Sequence, residues 1–168
     1  MIKFAPDVNK FEQHIVKSTV NRIPKWMLDQ SVKHNAWAKG PEQWLHIVKT
    51  DVKKHPFCKN IPIKESEVMG VFLKRENVAI VRIDGDLSNA TDSIAHEIGH
   101  WIDRNLIRGV FVDFSVCSDL HEWSWIKNRH QPTMAKDEYF ARKFSDLILG
   151  RRVDPDVLEF FEVLKKLF

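Results

Sequence analysis

His96 and His100 stand at i and i+4, a spacing that on a helix puts both imidazoles on one face, a single turn apart. Two neutral ring nitrogens placed in this way can reach one ion at about 2.0–2.1 Å, so the pair is a bidentate clamp for a transition metal. Glu97 is turned about 100° around the helix from His96. It does not compete as a ligand, yet it stays beside the open coordination position, where a carboxylate can take a proton from metal-bound water. Zinc lowers the pKa of such water from about 15.7 toward roughly 7 and polarises a carbonyl. The chemistry that suits these three residues is therefore attack by water on an amide at neutral pH, with His96 and His100 as ligands and Glu97 as the catalytic base.

The run His96-Glu97-Ile98-Gly99-His100 is the H-E-x-x-H pattern of zinc peptidases. Gly99 stands out inside it. A glycine costs a helix interior roughly 1 kcal/mol relative to alanine, so its presence between the ligands implies that something approaches that backbone closely. Catalytic zinc takes three protein ligands and keeps a fourth position for water or substrate, so one ligand must come from elsewhere in the chain. Glu138 is favoured. It lies near the start of a helix whose Phe140 and Phe144 stripe points elsewhere, with Arg142 and Ser145 on its own face. Glu122, in His121-Glu122-Trp123, is the second candidate. Asp103 reads equally well as an acceptor for an imidazole N–H and as a surface acid.

These residues need elements to position them. Val68–Leu73 and Val78–Ile83 are β-branched, apolar segments joined by Lys74-Arg75-Glu76-Asn77, which predicts a β-hairpin over about 68–83 within a sheet region 61–84. Val78–Ile83 is expected to be an edge strand that could pair with an extended peptide beside the metal. A motif helix is expected over about 92–107, capped from the polar run Ser88–Ser93, with Ala95, Ile98, Ile102 and Leu106 buried and Gly109 as its stop. A short helix is expected near Asp119–Lys127. A second metal-site helix, capped by Thr133 and ended by Gly150, carries Phe140, Phe144, Leu147 and Ile148. A last helix follows Pro155, with Val157, Phe161, Leu164 and Phe168 inward. The first third, residues 1–54, reads as helical: Val8, Phe11 and Ile15 in one helix, Trp26, Leu28, Val32 and Trp37 in a second, and Trp44, Leu45 and Val48 inside a third that starts at Pro41. Together these make a single α+β domain over 1–168, mainly helical, with the metal-site helices inside 92–149 and a small sheet before the motif helix.

The run His96–Asp103 (HEIGHWID), followed downstream by Glu138-Tyr139-Phe140-Ala141-x-x-Phe144, resembles the lethal-factor-like zincins, a group of gluzincin metallopeptidases. That family includes the catalytic domain of anthrax lethal factor and the Pro-Pro endopeptidases, and similar domains occur in phage and mobile-element proteins. The resemblance covers the two motif helices and their separation, about a third of the chain. It implies a zincin-like fold, His96, His100 and Glu138 as zinc ligands, Glu97 as base, and endopeptidase activity often directed at proline-containing sequences. One departure stands out. The family places a transition-state-stabilising tyrosine where this chain has Gln131, preceded by His130, and the single tyrosine here is Tyr139. His130, Gln131 and His121 are then the candidate oxyanion donors, with His130 taken as the catalytic partner of Glu97. Two further functional classes remain open: a regulatory protease of the mobile-element type that cleaves a repressor, and a zincin-like interaction module without turnover.

Composition bounds the rest. Hydrophobic residues at 43% and charged residues at 29% place the chain among globular proteins rather than disordered ones. Its 26 basic and 23 acidic side chains are interspersed, a solvated surface rather than a nucleic-acid footprint, so the expected partner is a peptide or protein substrate. Cys58 and Cys117 form no C-x-x-C pair and are expected to be reduced. No apolar run reaches the roughly 18 residues of a membrane span, and a cytoplasmic location is expected. His14, His34, His46 and His55 lack ligand spacing, and Trp26, Trp37 and Trp44 are expected in the core.

Overall fold

The computed structural model describes residues 2–35, 44–62, 68–83, 86–106 and 117–168. It is an α+β arrangement, mainly helical, with one four-stranded sheet. In chain order the main elements are β1 (Ile2–Phe4), α1 (Lys10–Val20), α2 (Lys25–Asn35), β2 (Leu45–Val48), β3 (Gly70–Leu73), β4 (Val78–Arg82), α3 (Leu87–Asn105), α4 (His121–His130), α5 (Lys136–Ile148) and α6 (Pro155–Lys166). The strand order is β1-β2-β4-β3. β1, β2 and β4 run parallel, and β3 is antiparallel to β4.

The expected hairpin is present, with Leu73 opposite Val78 and Gly70 opposite Val81. Its turn ends on Asn77 at φ 55°, a left-handed conformation that asparagine tolerates. Two expectations about the sheet are corrected. Leu45–Val48 is a strand, not the inner side of a helix: Leu45, Ile47 and Val48, with a buried His46 between them, make a run too short for periodicity to tell a parallel strand from a helix. The edge next to the motif helix is β3, since β4 is held between β2 and β3. β1 adds a strand at the start of the segment expected to be helical.

Alternation along β4 divides the apolar residues between two faces. Ala79 and Val81 join Leu45 and Ile47 in the main core under α3, whereas Val78 and Ile80 meet Val52, Cys58 and Leu73 in a smaller cluster on the other face. Trp44 stacks on Trp101 of α3 with ring centroids 4.2 Å apart, as expected of a core tryptophan. Trp26 is half-buried against Phe168, while Trp37 and the Pro41 start of the expected third helix lie outside the described residues.

α1 forms where the apolar spacing suggests, but its inward stripe is Glu12, Val16 and Val20, and Phe11 faces solvent. The rotation follows from the cap: Asn9 Oδ1 accepts from the Glu12 N–H at 2.9 Å, Glu12 reaches back to the Asn9 N–H, and Lys49 pairs with the Glu12 carboxylate. In α2 the buried positions are Met27 and Ser31, and Val32 is exposed.

α3 starts a turn earlier than the polar run suggests. Asp86 is its cap and accepts from the backbone N–H groups of Ser88 and Asn89 at 3.0 and 3.2 Å, so Ala90 and Ile94 are already in the core. The expected Ala95, Ile98, Ile102 and Leu106 stripe is fully buried, and Gly109 lies outside the described residues. Ala135 holds the cap position of α5 and makes no side-chain cap, so Thr133 does not serve as one, and Gly150 follows the helix end at φ 72°. The expected short helix is α4, which extends to His130. In α6, Val157, Phe161 and Leu164 are buried as expected.

The contact that matters for function is between α3 and α5. A Cβ on Gly99 would lie 2.8 Å from the Ala141 Cα and 3.0 Å from its carbonyl oxygen, so the approach that the glycine implied is the backbone of α5 itself. Gly99→Ala gains about 1 kcal/mol of helix propensity and drives a methyl into a backbone that cannot turn aside. The expected net result in denaturant unfolding is a loss of about 1–3 kcal/mol, together with a weaker metal site. A variant as stable as the parent would show that the helices can separate freely.

Candidate metal centre

The Gly99–Ala141 crossing places α5 across the face of α3 that carries the two histidines. Glu138 lies one turn before Ala141, and its carboxylate bridges both rings: Oε1 is 3.3 Å from His96 Nε2 and Oε2 is 3.3 Å from His100 Nε2. One donor atom from each of the three residues falls within 4.8 Å of the others. A tetrahedral ion with bonds of about 2.0–2.1 Å holds its ligand atoms about 3.3 Å apart. Two imidazole nitrogens and a carboxylate on two helices therefore form a set that fits zinc in both donor type and spacing. His96 and His100 are partly buried, their rings edge to face at 4.8 Å, and Phe72 of β3 lies parallel to the His100 ring at 6.2 Å.

The local electrostatics match that donor set. Hydrogen bonds from His100 and His96 hold the Glu138 carboxyl well below the usual carboxylate range, so it is ionised and available as a ligand. For His100, burial disfavours the charged form, but the Glu138 hydrogen bond and the nearby carboxylates Glu97, Glu138 and Asp137 outweigh it and raise the pKa. The His100 imidazole thus lies in a pocket of negative potential that favours a cation.

Glu97 shares the hollows that His96 and Glu138 line and is 8% exposed. Desolvation pushes its carboxyl up to about 7, against the lowering influence of His100 and His96. A carboxylate poised near neutrality is suited to taking and returning a proton. Gly70 on the edge strand makes room for it, since a Cβ there would come 2.5 Å from the Glu97 Cγ. The sequence carried a signal for this contact, a glycine inside a strand, which often marks a close approach.

Other expected site residues fall elsewhere. Glu122 lies at the start of α4 and lines an apolar groove with Trp125, Ile126 and Phe160, away from the histidines. His121 lines the same groove. His130, at the end of α4, pairs with the Asp156 carboxylate at 2.9 and 3.1 Å. It lines a hollow with Gln131, Tyr139 and Lys143 that includes neither histidine of the motif nor Glu97. Tyr139 is buried, packed on Trp123.

Asp103 takes neither of its expected roles. It is 2% exposed and accepts from the Ser118 backbone N–H at 2.7 Å and from its hydroxyl at 3.0 Å, tying α3 to the turn before α4. Burial pushes its carboxyl up to about 7 despite those two bonds. Asp103→Ala leaves two buried donors without an acceptor and is expected to cost about 1–3 kcal/mol in thermal unfolding. Asp103→Asn keeps an acceptor for the N–H and should cost much less; equal losses for both would mean that the contact is not what anchors the turn.

Arg142 is the site residue that gained most from the structure. Its Nε lies 3.3 Å from Glu138 Oε1, and it lines a polar hollow with His96, Glu97, Glu138, Ser145 and Arg151. The sequence placed it on the Glu138 face without giving it a task. Among the described residues, no helix is long and apolar enough to cross a membrane. No protein-family model matches the chain, and no curated protein matches it.

Proposed function

We propose that this chain is a zinc-dependent endopeptidase of the zincin-like type, acting on a peptide or protein substrate. The observation that supports it best is the convergence of His96 Nε2, His100 Nε2 and the Glu138 carboxylate from two helices, at spacings that suit a tetrahedral ion, with the buried carboxylate of Glu97 beside them. Zinc held by these three ligands would supply Lewis acidity, polarising the scissile carbonyl and lowering the pKa of water.

The chain's own groups do the rest. Glu97 takes a proton from the attacking water as the water oxygen bonds to the carbonyl carbon and the carbonyl π pair moves to its oxygen. When the C–N bond breaks, the departing nitrogen receives that proton from Glu97, which is ready for the next cycle. β3 is the sheet edge nearest the site, and Gly70, Val71, Phe72 and Lys74 line a hollow with His96, Glu97, His100 and Glu138. An extended substrate can add to this edge as a further strand, with its scissile bond beside Glu97. The two free, buried cysteines suit a reducing compartment, so a cytoplasmic location is part of the proposal.

The test is a peptide-library digest read by mass spectrometry, with and without chelator. Cleavage that chelator abolishes and zinc restores is the expected result, and the cleavage positions report whether proline is preferred. A library left intact by zinc-loaded protein would leave a metal-binding module without peptidase activity.

A further inference from the structure

Water attack on an amide carbonyl puts negative charge on the carbonyl oxygen, and a peptidase needs a donor fixed where that charge develops. The tyrosine hydroxyl and the ring of His130 lie outside the hollows that contain Glu97, and His121 and Gln131 line other surfaces. Among the described residues, the cations that line those hollows are Lys74, Arg142 and Arg151. Lys74 is held by Asp137 at 2.8 Å. Arg151 is held between Asp92 and Asp146. Arg142 differs, because its partner is the ligand carboxylate itself, at 3.3 Å from Nε.

We propose, resting on the peptidase reading above, that Arg142 is the electrophilic catalytic residue that stabilises the oxyanion. The geometry carries this. The Arg142 Nε lies 3.3 Å from Glu138 Oε1, and the side chain lines one hollow with His96, Glu97 and Glu138, so the guanidinium stands at the rim of the candidate metal centre on the side that Glu97 shares. It is anchored by one of its five N–H donors, which leaves the terminal amino groups to meet a substrate carbonyl oxygen seated in the hollow beside Glu97. The side chain is 60% exposed before substrate binds, and a substrate seated over Glu97 would exclude water from it and strengthen its field. Its cation also offsets the carboxylates that crowd the hollow, Asp92, Glu97, Glu138 and Asp146. Ser145, one turn further along α5, is buried in the same wall and keeps the face polar.

Two variants of the full chain test this, Arg142→Gln and Arg142→Lys, each assayed on the fastest-cleaved library peptide after zinc loading. Arg142→Gln is expected to lower kcat by about 10²–10³-fold with KM nearly unchanged and zinc content equal to the parent's. Arg142→Lys, which keeps the charge and loses the fork, should fall between the two. A second readout avoids turnover: affinity for a phosphinic pseudopeptide of the same sequence, whose tetrahedral anion mimics the oxyanion, should drop in Arg142→Gln by the same factor as kcat/KM. If Arg142→Gln cleaves and binds the mimic as the parent does, Arg142 is not the donor. If its zinc content falls in step with its activity, Arg142 serves only to hold Glu138, and the assignment is equally overturned. A parent chain that neither binds zinc nor cleaves would overturn the peptidase reading and this proposal together, whereas the first two outcomes require an active parent and overturn this proposal alone.

Discussion

Glu97→Gln is expected to bind zinc and fold as the parent does while hydrolysing peptides at least about 10²–10⁴-fold more slowly, the usual worth of a positioned proton-transfer group. The amide matches the carboxylate in shape, so it fills the space beside Gly70 without disturbing the strand. What it lacks is a lone pair basic enough to take a proton from water. The carboxylate has that lone pair, and its burial favours taking up the proton. The measurement is kcat on the fastest library peptide, alongside zinc content and the unfolding midpoint. A variant that cut as fast as the parent would remove Glu97 from the reaction.

Glu138→Ala should weaken zinc binding by orders of magnitude, whereas Glu122→Ala should leave it unchanged. Two histidines alone must complete the coordination with exchangeable waters, which hold an ion far less well than a carboxylate fixed to the chain. Glu138 also gathers the two rings, one on each carboxylate oxygen, so its loss removes both a ligand and the group that orders the others. Competition with a chromophoric chelator reads the affinity directly. The reverse pattern, with zinc lost from Glu122→Ala and retained by Glu138→Ala, would refute the ligand set.

The chemistry was legible in the sequence to the extent that it is local. Two histidines at i and i+4 and the acid between them declare themselves wherever the helix forms, and the buried Ile98–Ile102–Leu106 stripe guaranteed that it would. Glu138 could be chosen because the Phe140 and Phe144 stripe fixes which way its helix must face. Gly99 pointed to a close neighbour through its propensity cost but could not name Ala141, since that contact joins two segments distant in sequence.

Parallel pairing was hidden for the same reason. β1, β2 and β4 are joined by long connections, and a four-residue stretch such as Leu45–Val48, three of its residues apolar, is too short to show a period of its own. The edge position of β3 depends on β2 having claimed the other side of β4. Asp103 illustrates the remaining limit. Its spacing from the histidines suggested a role toward them, but its partners come from Ser118 across the helix, on a turn that no periodicity announces.

Every role proposed for these side chains depends on zinc held by His96, His100 and Glu138. Elemental analysis of protein purified without chelator, repeated after dialysis against zinc, tests it most directly. About one zinc per chain is expected, lost on Glu138→Ala and retained on Glu97→Gln. Protein that carries no transition metal as purified, and gains none when zinc is supplied, would contradict the account at its centre.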